Sequence, residues 1–150
     1  MAEVSTVRLY VLRFYFLLNF VGLGMSAWPA VLHPARLLGP VDGAAFSFWA
    51  AFSALAILGV RYPLQMLPLL FVQLSYKTVW LLAVALPLQS AGRWDANVAE
   101  MTRVFVGAIV ADVLVIPWGY VFANYVKKPG DSWKFAGAHG TLTSHPRARA

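Results

Sequence analysis

The chain contains no cysteine, which excludes thiolate metal sites, iron–sulfur clusters and thiol redox chemistry. Charge is almost as scarce. Asp, Glu, Lys and Arg make up 12% of the 150 residues, about half the share in an ordinary soluble domain. Histidine offers little. His33, His139 and His145 all fall outside the apolar runs, so a haem held between two helix histidines is excluded. No HExxH, no phosphate-binding glycine loop and no GxSxG is present. Paired-aspartate proteolysis within a membrane is excluded as well, because Asp112 is the single aspartate inside an apolar run. No cofactor and no metal site are implied, and enzymatic activity is not expected.

What the chain has in excess is apolar surface. Sixty per cent of residues are hydrophobic and the mean hydropathy is +0.66, a composition that suits lipid as solvent. Four runs stand out, at about 9–32, 43–60, 64–88 and 103–126. Crossing a ~30 Å hydrocarbon core takes about 20 helical residues, so the second run is slightly short and the others span with tilt. None alternates polar and apolar residues as a barrel strand does. The expected fold is all-α: a four-helix transmembrane bundle over residues 1–128, followed at 129–150 by a polar, basic tail that reads as disordered. The first run is longer than a signal-peptide core and lacks a convincing cleavage site, so it reads as a retained helix.

The net charge of +6 reflects where the cations sit, and nucleic acid is not needed to explain it. With the N-terminus in the cytoplasm, Arg8, Arg61, Lys127, Lys128, Lys134, Arg147 and Arg149 fall inside, with Arg13 near enough to snorkel there. Arg36, Arg93 and Arg103 fall outside. This asymmetry places both termini in the cytoplasm. Lys127, Lys128 and Lys134 are then expected to meet anionic lipid headgroups. The short connection Arg61-Tyr62-Pro63 makes the second and third helices an expected antiparallel hairpin.

The polar residues inside the runs carry the functional interest, because intramembrane ionisable groups are costly. Lys77 lies eleven residues from the outer end of the third run and Asp112 nine from that of the fourth. At 1.5 Å per residue both stand roughly 14–16 Å deep, and Asn19 reaches a similar level from the other side. Gln73, Tyr76, Lys77 and Trp80 share one stripe of the third helix. Tyr15, Asn19, Gly22 and Ser26 share one of the first. Ser47, Ala50, Ala51 and Ala54 offer a small-residue face on the second, and Gly107 with Ala111 on the fourth. The pattern predicts a Lys77–Asp112 ion pair, with Gln73, Asn19 and Tyr76 supplying further hydrogen bonds. Pro117 removes a backbone donor and frees the carbonyl of Val113, so a kink is expected there. A second kink is expected at Pro68, freeing the carbonyl of Leu64.

The stretches SFWAAFSALAILGVRYPLQMLPLLFVQLSYKTVWLLAVALP (47–87) and IPWGYVFANYVKKPGDSWK (116–134) resemble a family of small bacterial multi-pass membrane proteins with no assigned activity. The architecture is distantly similar to the DoxX-like four-helix proteins. The resemblance covers about the first 134 residues and implies the fold. It implies a bacterial inner-membrane location but no chemistry.

Two functions are therefore expected in competition. One is a non-enzymatic accessory or assembly component that contacts membrane lipid and a homo-oligomeric or heterologous membrane partner. The other is a small oligomeric transporter that uses Lys77 and Asp112 as its proton or substrate site.

Overall fold

The structure is a computed structural model and describes residues 4–33 and 38–129. Every regular element among them is helical. Helix α1 spans Thr6–Leu32 and α2 spans Pro40–Arg61. Helix α3 runs Leu67–Ser90, with a π-helical turn at Leu81–Ala85. Helix α4, Ala96–Val115, and α5, Trp118–Val126, are bent by 67° at the break between them. Among the described residues three helices are long and apolar enough to cross a membrane, or four spans if the bent pair is one.

Local chemistry sets these limits. Ser5 caps α1, its hydroxyl accepting from the Arg8 N–H at 3.4 Å. Pro40 starts α2 and Asp42 lies in its first turn, where a fixed φ and a negative charge both suit a helix N-terminus. This carries α2 beyond the apolar run that announces it. Asp95 caps α4, accepting from the Val98 N–H at 2.8 Å, so the last long helix begins seven residues before its expected start at Arg103. The interval between the third and fourth apolar runs, 89–102, is therefore largely helical, with only 91–95 left between α3 and α4. Gly92 makes the turn with φ +68°, a conformation that glycine adopts without steric cost. The Arg93 N–H then closes on the carbonyl of Leu88 at 2.9 Å, which ends α3.

The prolines divide by position. Pro68 occupies the first turn of α3, where no intrahelical donor is needed, so it starts the helix and does not kink it. The expected kink at Pro68 is therefore corrected. Pro87 lies within α3, directly after the π-helical turn, whose i→i−5 bond runs from Leu86 to Leu81. That wider turn offsets the backbone donor that Pro87 lacks. Pro117 stands at the 67° break.

Packing is uneven along the molecule. Helices α1 and α2 run antiparallel in close contact. The Ser53 hydroxyl donates to the carbonyl of Phe20 at 2.9 Å. A Cβ at Gly24 would stand 2.7 Å from the Ser53 oxygen, and one at Gly59 would overlap the ring of Phe16. The tight partner of α2 is thus α1, whereas the short 61–63 connection suggests α3. The buried residues of α2 are Ala50, Phe52, Ser53, Ala56 and Gly59. Of the expected small-residue face only Ala50 is buried, while Ser47, Ala51 and Ala54 point outward.

Near the N-terminal end of α1 a dry core gathers Leu12, Phe16, Ala56, Leu67, Leu70 and Ile116. The outer surface remains apolar. Met25, Leu82, Val104 and Leu114 are each more than half exposed, a pattern matched to a hydrocarbon environment.

Candidate functional site

The site lies where that dry core ends. Asp112 on α4 is 0% exposed. Its Oδ1 accepts from the Tyr15 hydroxyl at 2.7 Å and from the Gln73 amide at 3.2 Å. Its Oδ2 lies 3.8 Å from the Lys77 ammonium, an ion pair beyond direct hydrogen-bond length. Among the described residues Oδ2 has no hydrogen-bond donor. Gln73 also donates to the Tyr15 oxygen at 3.3 Å. Gln73 and Lys77 are one helical turn apart on α3, so they reach the same carboxylate from one stripe. Three helices therefore converge on Asp112.

The structure distributes the other expected members differently. Asn19 donates to the carbonyl of Tyr15 within its own helix at 2.9 Å and does not bond the pair. The Tyr76 ring meets Phe48 and Phe105 edge-on, at 5.6 and 5.7 Å. Its centroid lies 5.8 Å from the Lys77 nitrogen, so Tyr76 walls the cluster without hydrogen bonding to Asp112. The closest donor to Asp112 is Tyr15, which the sequence reading places on the right stripe but gives no part in the pair. The available signal was its position one turn before Asn19, with a phenol long enough to cross to a neighbouring helix.

Above the cluster is a cleft in two adjoining recesses, of about 240 and 360 Å³. Both are lined by Asn19, Leu23, Gln73, Lys77 and Val104. One recess extends to the aromatic side chains Trp49, Tyr76 and Phe105. The other follows the crevice between α1 and α4, past Leu18, Gly22 and Ala111. An added Cβ at Gly22 or Gly107 would meet nothing within 4 Å. Gly107 thus faces open space, although its spacing with Ala111 suggested close helix contact.

The break at Pro117 is closed by side chains. The carbonyl of Val113, which Pro117 leaves without its usual partner, accepts from the Trp118 indole N–H at 2.8 Å. The carbonyl of Ile116 accepts from the Arg8 guanidinium at 3.3 Å. Both oxygens therefore have donors, and the Arg8 bond ties α1 to the end of α4. Among the described residues no group of three or more His, Asp or Glu side chains could hold a metal.

Lys127 and Lys128 are exposed beyond α5, the former with its nitrogen 5.5 Å from the Phe122 ring centroid. Lys134 and the tail from 130 onward lie outside the described residues. Comparison with protein-family models, with curated proteins and with solved structures returned no match.

Proposed function

We propose that the chain is a non-enzymatic multi-pass component of a bacterial inner membrane, an accessory or assembly subunit whose polar cluster fixes the geometry of its helices. The observation that carries this reading is the enclosure of Asp112. A carboxylate with no exposed surface draws Tyr15 from α1 and Gln73 and Lys77 from α3 onto α4. Such a group favours one packing of the helices, since any rotation that parts them leaves a charge in hydrocarbon. Both termini face the cytoplasm in this reading, supported by the excess of Lys and Arg on that side. Lys127, Lys128 and Lys134 rest against anionic headgroups.

The orientation is testable because the chain has no cysteine of its own. In intact cells a membrane-impermeant maleimide should label Ser90→Cys and leave Lys128→Cys unlabelled until the membrane is opened. The reverse pattern would overturn the orientation. For the assembly role, native electrophoresis of membranes should show the chain in a larger defined complex that Asp112→Leu disperses. Migration of the wild-type chain as a monomer would count against that role.

A second reading, a small oligomeric transporter acting through Lys77 and Asp112, draws support from the cleft that reaches Lys77. Proton or solute flux in proteoliposomes, lost in a folded Lys77→Met variant, would favour it. Absence of flux in the wild type would remove it.

A further inference from the structure

Lys77 serves as the counter-ion of Asp112, and unlike its partner it also faces open space. Lys77 lines both recesses of the cleft, and its ammonium stands 3.8 Å from Asp112 Oδ2, beyond direct hydrogen-bond length. An ammonium has three N–H donors, and a bracing residue does not require an open space beside it. We propose that the cleft over Lys77 binds a membrane-dissolved molecule with a planar ring and one carbonyl oxygen, the oxygen accepting from Lys77.

Each feature of the ligand follows from one feature of the site. Lys77 and Asp112 cancel in formal charge, so a neutral acceptor leaves the site balanced, whereas a carboxylate would add an uncompensated anion in a poorly solvated place. Trp49, Tyr76 and Phe105 line the inner recess and suit a flat ring through edge and face contacts. Leu23 and Val104 line both recesses, so the remainder of the ligand is hydrocarbon. Access runs through the crevice between α1 and α4, where Gly22 leaves room. The recesses, at about 240 and 360 Å³, fit a substituted ring and not a phospholipid.

The test uses the full chain in phosphatidylcholine vesicles and, as probe, the naphthalene ketone prodan, which is neutral, planar and excited by energy transfer from tryptophan. Transfer from the wild-type chain should saturate with probe concentration. Lys77→Met should weaken that binding at least tenfold, the loss expected for a hydrogen bond to a charged donor worth about 1.5 kcal/mol. Gly22→Phe, which projects into the cleft from a position with no neighbour, should abolish saturation while circular dichroism and elution volume stay unchanged. The same naphthalene with its carbonyl reduced to methylene should only partition.

Transfer that rises linearly in the wild type would overturn the proposal, as would saturation that persists in Gly22→Phe. Equal binding of the carbonyl-free probe, or tighter binding of the matching naphthoate, would overturn it too. Should Lys77→Met fail to fold, Gly22→Phe and the probe pair still decide the outcome.

Discussion

The two ends of this helical protein are built from the same four apolar runs, yet one end is sealed and the other is open. At the sealed end Leu12 and Phe16 of α1 meet Ala56 of α2, Leu67 and Leu70 of α3 and Ile116 beyond α4. At the open end Asn19, Leu23 and Ser26 of α1 face Met101, Val104 and Ala108 of α4 across a cleft. Glycines show the contrast most directly. Gly59 lies against Phe16 at the sealed end with no room for a methyl group, while Gly22, on the wall of the cleft, has nothing within 4 Å. A small residue in a membrane helix can therefore mark close approach or a gap. The polar cluster occupies the boundary between these regions, braced from below and reachable from above.

Substitutions across that boundary would test the contrast, and the largest effect belongs to the ion pair. Lys77→Leu alone should destabilise the protein by about 3–5 kcal/mol, because Asp112 is left buried without its cation. The double change Lys77→Leu with Asp112→Leu should cost less than Lys77→Leu alone, as measured by reversible unfolding in mixed micelles. Additive losses would dissolve the pair as a unit.

Tyr15→Phe removes the shortest hydrogen bond to the carboxylate and should cost about 1.5–3 kcal/mol in the same assay. An unchanged midpoint would mean that Gln73 alone satisfies Oδ1. At the sealed end Gly59→Val drives a branched side chain into Phe16 and should cost about 1–3 kcal/mol through overpacking. The corresponding change at the open end has the opposite sign. Gly22→Ala meets no neighbour and should stabilise the chain by roughly 0.5–1 kcal/mol through helix propensity. If Gly59→Val and Gly22→Ala shift the unfolding midpoint equally, the two ends are not packed differently. Trp118→Phe, which strips the donor from the Val113 carbonyl, should cost about 1 kcal/mol and loosen the bend, read as faster amide exchange at Val115 and Ile116.

Much of this site was readable before any coordinates, for a definite reason. Intrahelical spacing is set by the 3.6-residue turn, so Gln73 and Lys77 necessarily share a face. Equal depth follows from the rise per residue, which brings Lys77 and Asp112 to one level. The spacing does not give the rotation of one helix against another. Asn19 and Tyr15 lie on the same stripe of α1, and only packing decides that the phenol reaches Asp112 while the amide folds back onto its own helix. The inward face of α2 was missed for the same reason, since alanine is common around the whole helix. The limits of α4 were missed for another: its first turns are polar, and hydropathy does not register a helix that continues past the hydrocarbon.

The sequence by itself determined the apolar runs, the scarcity of charge within them and the depth of each polar group, because transfer energetics and helical rise are local properties of the chain. Tertiary structure decided which helices touch, that Tyr15 completes the cluster, that Trp118 and Arg8 occupy the carbonyls at the bend, and that a cleft remains over Lys77. Those outcomes depend on how side chains of distant segments fill one volume, and side-chain shape acts only after the helices have met.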